Sequence, residues 1–300
     1  MAASNPPVVS GAPATPGRRR RRIRGSTVAG AVGWILLGAV VAVAVLAPVL
    51  APHDPLHQDL ELRAGAPTIT RSALGAHPLG NDQLGRDILS RLIYGSRVSL
   101  VVGSIAVLLG GSVGVTLGIA AGYFGGWADR IIMRAADIQL AFPFILLAMI
   151  IIAVAGPGIT KLIGVLALSG WVTYARVVRS EVLSVREREF VQAARVVGLR
   201  DGRIMLRHIL PNVTAPVIVV ATLELARVVI LEAALSFLGL GVQPPTPSWG
   251  RMLADGRDFL ATAWWISTFP GLALMALVLG VNLVGDWLRD VLDPRIRYAS

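Results

Sequence analysis

Glu224, Arg227 and Glu232 interrupt an otherwise apolar run from Val213 to Leu238. A charge at the centre of a bilayer costs about 2.5–3.5 kcal/mol on insertion scales, so such residues turn toward protein or toward a water-filled path. Glu224 and Arg227 stand three apart and meet on one face of a helix. Two chemistries fit that spacing: an internal salt bridge that holds helices together, or a charged pair lining a polar path. Glu232 opens EAALSFLGLG and is read as bundle structure before ligand contact. Other reactive constellations fail. Lys161, the only lysine, sits in GITKLIG and lacks the G-x-x-x-x-G-K-[ST] loop that cradles nucleotide phosphates. There is no cysteine, hence no disulfide, thiolate ligand or thiol nucleophile. HExxH does not occur, and G-x-S-x-G occurs only as GGSVG, Gly110–Gly114, inside an apolar run with no strand-to-helix turn to expose the serine, which speaks against a membrane enzyme. His53, Asp54 and His57 lie in a loop flanked by Pro52 and Pro55; with no third histidine close in sequence they fall short of a metal set, and no metal is assigned.

The elements that must carry these residues are membrane helices. The chain is 54% hydrophobic and 15% charged, against about 25% charged in a soluble domain, and apolar runs of about 20 residues recur. The net charge of +10 reports orientation in such a protein, not nucleic-acid binding. Residues 1–25, rich in Pro, Ala and Gly and ending in RRRRRIR, bury too little to fold and are expected to be a disordered cytoplasmic tail. The run Val28–Ala51 is longer than a signal-peptide core and reads as an uncleaved anchor. Residues 26–300 then form one six-span domain. Further spans are predicted at about Val98–Phe124, Ala136–Ala155, Leu162–Val178, Val213–Leu238 and Ala263–Leu288, with an outer segment over 52–97. Ile88, Leu89, Leu92 and Ile93 predict an amphipathic helix lying along the membrane surface.

Gly110, Gly114, Gly118 and Gly122 recur every four residues in the second span, leaving one face as bare backbone for close approach, within the bundle or between subunits. The tail, the link with Arg130 and Arg134, the stretch 179–212 and the C-terminus carry more than twice the basic residues of the opposite loops, so both termini are placed in the cytoplasm. In GVQPPTPSWG the prolines stiffen an outer segment, and Trp249 suits the water–lipid boundary; the segment serves either as a docking surface or as a plain connector.

The stretch Arg179–Asn212 is a charged island between two apolar spans. Phe190, Ala193, Ala194 and Val197 form a small apolar stripe at helical spacing, and Gly198 follows where a helix end needs a left-handed residue. Asp201 and Gly202 make a turn, a second short helix is expected over about 203–210, and Pro211 precedes the fifth span. Such a helix suits docking into a partner's groove; the alternative is a solvated loop.

The segment QAARVVGLRDGRIMLRHILP resembles the EAA loop of the integral-membrane permeases of ATP-binding cassette importers. Ala193, Ala194, Gly198, Leu210 and Pro211 match that motif, whereas Gln192 stands where the family has Glu. HPLGNDQLGRDILSRLIYGSRVSL, EAALSFLGLGVQPPTPSWG and GDWLRDVLDPR are similar to the C-type permeases of dipeptide, oligopeptide and nickel importers. The resemblance implies an all-α membrane protein of the type I importer fold, in the bacterial cytoplasmic membrane, with a cytoplasmic coupling helix between spans four and five. It implies that Glu189, Phe190, Gln192, Ala193, Ala194, Gly198, Arg203, Leu210 and Pro211 form the surface that meets an ATPase. It also implies a second, different permease, two ATP-binding subunits holding ATP and magnesium, an extracytoplasmic binding protein and a peptide substrate, with nickel chelates as the alternative cargo. No cofactor is expected on this chain itself, and its other contact is lipid. Glu224, Arg227 and Glu232 would then be candidates for the substrate pathway, with Glu224 and Arg227 contacting the charged termini of peptides. A secondary transporter is the remaining rival, and it would need no such lever.

Overall fold

A computed structural model describes residues 16–68 and 77–292, with side chains from residue 27 onward. Hydrocarbon offers no partners to backbone N–H and C=O groups, and a helix satisfies them within one segment. Among the described residues the chain is accordingly helices and loops, with one isolated bridge between Asn81 and Asp87. The helices are α1 (Pro16–Val45), α2 (Ala47–Leu50), α3 (Ile88–Phe124), α4 (Gly126–Leu140), α5 (Phe144–Ala155) and α6 (Ile159–Val185). After these come α7 (Glu189–Val196), α8 (Asp201–Ile204), α9 (Leu210–Phe237), α10 (Trp249–Gly256) and α11 (Trp265–Leu292).

Four of them, α1 over Thr27–Val45, α3, α6 and α11, are long and apolar enough to cross a membrane; the bent pair α4 and α5 makes five if it is one span. The chain is therefore a multi-pass membrane protein. Outside that number stands α9, which carries Glu224, Arg227 and Glu232; its 28 residues extend about 42 Å. At the centre α3 packs on α1, α6 and α9, while α11 packs on α1, α9 and α10.

Several boundaries differ from the sequence expectation, each for a local reason. Helix α1 begins at Pro16, so the arginine tract expected to be disordered forms its first turns; proline suits a first helical position and arginine is a good helix former. Residues 1–15 lie outside the described residues. The first span stops at Val45, because Pro48 starts a separate turn, α2. The expected surface helix at Ile88–Ile93 is the beginning of α3, one unbroken helix of 37 residues, about 55 Å long, with Ile88 and Ile93 buried. The third span is broken: Pro143 disfavours helix at Phe142 and cannot donate, so α4 and α5 meet at 89°. Alone, the 12 residues of α5 extend about 18 Å, short of about 30 Å of hydrocarbon.

The glycine repeat decides the central packing. A Cβ on Gly110 would lie 2.6 Å from the Ala167 carbonyl oxygen, one on Gly118 2.8 Å from that of Ala175, and one on Gly122 3.0 Å from that of Arg179. On Gly114 it would meet the Trp171 carbonyl oxygen and lie 2.6 Å from Tyr174 Cβ. The repeat thus joins α3 to the backbone of α6, whose carbonyls recur at the same four-residue interval. Of the two placements open from sequence, the structure shows the one inside the bundle.

Candidate functional site

Three helix ends converge on the loop after α6. Val191 and Ala194 of α7, Ile204 of α8 and Ile209 are buried against Ile119 and Tyr123 of α3 and Val178, Val182 and Val185 of α6. The apolar stripe therefore divides. Ala194 faces inward, whereas Phe190, Ala193 and Val197 point away from the bundle; Val196, which the stripe did not include, is 88% exposed. One amphipathic turn thus holds itself to the bundle by one side and presents Phe190, Ala193, Val196 and Val197 on the other.

Gly198 makes that shape possible. Its φ of +80° is a left-handed value, and its N–H donates to the Arg195 carbonyl at 2.9 Å while Leu199 N–H donates to the Ala194 carbonyl at 3.1 Å. This is the Schellman pattern, completed by Leu199 packing in the same apolar cluster as Ala194. The left-handed helix end expected from sequence is present. Gln192, the departure from the family motif, donates through Nε2 to the Arg186 carbonyl at 3.1 Å, and Arg186 Nη1 donates to the Gly122 carbonyl at 2.8 Å. A carboxylate at 192 would have no proton to give to that carbonyl. Glu189, Arg203 and Pro211 are exposed and Leu210 is half-buried.

The short helix expected over 203–210 is not separate. Asp201–Ile204, a π-helical stretch at Met205–Ile209 and α9 form a continuous helical course, with Pro211 inside it. Widening to π geometry just before Pro211 accommodates a residue that has no N–H and whose ring crowds the preceding turn.

Sequence reasoning missed what locks the loop to α3. Tyr123 Oη donates to Asp201 Oδ1 at 2.6 Å, and the Arg195 guanidinium lies 4.9 Å from the centre of the same ring. No sequence signal joins Tyr123 to a residue 78 positions away. Tyr123→Phe keeps the ring and removes the bond to a carboxylate, worth about 1.5 kcal/mol. Amide exchange across residues 189–204 is expected to quicken roughly tenfold, with the transmembrane helices unaffected.

The charges of α9 fall into two environments. Glu224 is buried, and Arg227 donates to its Oε2 through Nε at 3.0 Å; Nη2 lies 2.9 Å from the same oxygen and also donates to the Ser169 carbonyl at 3.0 Å. The Arg227 side chain remains 41% exposed. Glu232 is fully buried and accepts from Ser99 Oγ at 3.1 Å and Ser236 Oγ at 2.8 Å. A cleft of about 650 Å³ opens between α6, α9 and α11, with Glu181, Arg188 and Arg289 among its lining residues and Pro216 and Val220 on its wall. It ends one turn short of Glu224 along α9.

At the opposite end of the bundle a buried ion network fastens α10 to the start of α3. Asp82 accepts from Arg86 Nε at 2.7 Å and from Arg91, Asp255 Oδ2 lies 3.3 Å from both arginines, and Arg251 Nε is 3.1 Å from Asp255 Oδ1. This network, also absent from the sequence reading, explains the charges crowded into NDQLGRDILSR. Trp249 is buried, not at a lipid boundary: its ring lies over Gly95 and its Nε1 donates to the Leu92 carbonyl at 2.9 Å. The missing side chain at Gly95 is what lets α10 tuck inward.

Residues 114–298 match the model of the family described as binding-protein-dependent transport system inner membrane component. The chain belongs to that family. As a transport permease component it is similar over nearly its whole length to curated relatives. It is 42% identical to the dipeptide transport system permease protein of Alkalihalophilus pseudofirmus over 89% of this chain and 86% of the relative. Against the di/tripeptide transport system permease protein of Pseudomonas aeruginosa the identity is 43%, over 90% of each chain. Against the dipeptide transport system permease protein of Escherichia coli it is 44%, over 89% of each. The chain is thus a permease component of a transport system.

Proposed function

We propose that this permease forms half of the pathway through which an ATP-driven importer takes up di- or oligopeptides. The observation that carries the cargo is the 42–44% identity, over about nine-tenths of the chain, to permeases named for dipeptide and di/tripeptide transport. The other half comes from a second, different permease. Two ATP-binding subunits supply the energy, and an extracytoplasmic binding protein delivers substrate. In this reading α9 and the bent pair α4–α5 complete six spans, both termini are cytoplasmic, and the loop 186–204 lies on the cytoplasmic face.

The mechanism follows from the loop. Phe190, Ala193, Val196 and Val197 seat in a groove of an ATPase subunit, and Glu189, Gln192 and Arg203 border that contact. ATP draws the two motor subunits together, and each carries its coupling helix with it. Because α7 and α8 are packed on the ends of α3 and α6, displacement of the knuckle moves whole helices. The pathway switches only if the nucleotide-bound motor binds one permease state better than the other. Uptake of labelled dipeptide and of nickel by the reconstituted complex, with and without ATP, is the test: ATP-dependent peptide uptake is expected, and nickel uptake in its place would overturn the cargo.

Arg227 and Glu224 are placed on that pathway, above the cleft of α6, α9 and α11, and Glu232 in the packing of the bundle. Half of the Arg227 role is to satisfy Glu224; the exposed remainder of its guanidinium is available to a peptide carboxylate. Arg227→Lys keeps the charge and loses the fork, so dipeptide uptake is expected to fall about tenfold with assembly unchanged. Loss of protein level before any change in the preference for free over amidated C-termini would instead assign the pair to structure alone.

A further inference from the structure

The strongest unassigned feature lies outside the bundle, where three segments distant in sequence meet. His53 follows α2, His77 precedes the turn into the ion network, and Asp87 is the N-cap of α3, its Oδ2 accepting from Ser90 N–H at 2.7 Å. His77 Nδ1 lies 2.9 Å from Asp87 Oδ1, and His53 Nδ1 lies 3.8 Å from Asp87 Oδ2. All three candidate ligand atoms fall within 4.8 Å of one another. The two imidazoles lie 4.6 Å apart, centre to centre. Asp87 is buried, and His53 Nδ1 is itself buried without a hydrogen-bond partner.

We infer that His53, His77 and Asp87 bind a divalent transition-metal ion of the zinc type. Ligand atoms around a tetrahedral zinc ion stand about 3.3 Å apart, given bonds of about 2.0–2.1 Å. The 2.9 and 3.8 Å separations, which run to the two different oxygens of Asp87, lie on either side of that value, and with one ligand atom from each residue all within 4.8 Å of one another, side-chain shifts of about 1 Å bring the three onto one ion. Two imidazoles and one carboxylate suit an ion of intermediate softness and leave the fourth position to water. The ion takes the place of the proton that His77 and Asp87 otherwise share, and it gives the orphaned His53 nitrogen a partner. The backbone already holds the ligands: His53 N–H donates to Ser90 Oγ at 3.0 Å, which fixes the loop after α2 against the first turn of α3. The bound ion is a clip that joins the end of the first span to the start of the second. It is resident in this segment and distinct from any transported cargo. The sequence assigns no metal to His53, Asp54 and His57; the fold takes only His53 of these and supplies partners 24 and 34 positions further on.

The test uses the full-length chain, purified without a histidine tag, stripped with chelator and titrated with zinc against a chromophoric competitor. One zinc per chain is expected. His53→Ala removes a side chain whose Nδ1 makes no hydrogen bond and leaves the His53 N–H bond to Ser90 Oγ in place, so folding is expected to be retained. Affinity should fall at least ~100-fold, the upper end of what loss of an outer-shell partner alone costs. His57→Ala should leave affinity unchanged. Cobalt gives an independent reading on the unaltered chain: intense visible bands of a four-coordinate ion are expected. The weak spectrum of the aqua ion, a zinc stoichiometry unaltered by His53→Ala, or an equal loss in His57→Ala would each overturn the assignment.

Discussion

Gly114→Leu is expected to destroy the bundle. The first added carbon meets the Trp171 carbonyl oxygen and lies 2.6 Å from Tyr174 Cβ, and both neighbours belong to a helix pinned at three further glycines. Flexible side chains absorb overpacking at about 1–3 kcal/mol, but a backbone carbonyl cannot turn aside. Relief therefore requires α3 and α6 to separate along their common length, which also opens the contacts of Gly110, Gly118 and Gly122. We expect a loss of about 4–5 kcal/mol, enough to leave little folded protein, measured as unfolding in mixed micelles and as yield of assembled complex. The control is Gly164→Ala. Gly164 is an exposed helical glycine with nothing within 4 Å of its added carbon, so it should be neutral or stabilise by about 0.5–1 kcal/mol. Equal stability of Gly114→Leu and Gly164→Ala would show that the two helices do not depend on backbone contact.

Gly198→Val should do the reverse, sparing assembly and ending transport. Here no atom lies within 4 Å of an added Cβ, so the cost is conformational: φ is +80°, which a β-branched residue resists. The expected response is loss of the left-handed turn, and with it the bonds from Gly198 and Leu199 back to Arg195 and Ala194. Helix α7 would then fray or rotate, turning Val196 and Val197 away from the motor. ATP-dependent uptake in the reconstituted importer should fall by about 100-fold, while the complex still purifies and its ATPase subunits still hydrolyse ATP. Gly198→Asn, which tolerates the left-handed region, should retain most transport. If the valine variant imports normally, the knuckle is not the lever.

These two glycines illustrate how far sequence reading reaches. A four-residue repeat is a property of one helix, so the bare face of α3 was legible before any fold was known. Which surface it meets was not, because the answer lies in the carbonyls of α6, 57 residues further on. Gly198 was legible for the same local reason: a small residue after a short amphipathic turn satisfies the helix end by itself. By contrast, Tyr123 with Asp201, Arg86 and Arg91 with Asp255, and His53 with His77 and Asp87 are pairings across long stretches, and no periodicity announces them. Trp249 was misplaced because an aromatic in a proline-rich outer loop suits an interface by type, whereas Gly95 on another helix provides a slot that only packing reveals. The straight third span failed where Pro143 outweighed hydropathy.

Composition and periodicity by themselves determined that this chain is a helical membrane protein, that it carries a charged knuckle between its later spans, and that it lacks a nucleotide-binding loop. Those properties depend on hydrophobicity and on residues a few positions apart, where chain connectivity sets the geometry. The tertiary structure alone decided which side of the knuckle is buried, that the glycine face serves the bundle, that Glu232 is sealed among serines while Arg227 stays half open, and that His53, His77 and Asp87 meet. Each of these is a choice between faces of helices, and a face acquires its meaning only from the neighbour packed against it.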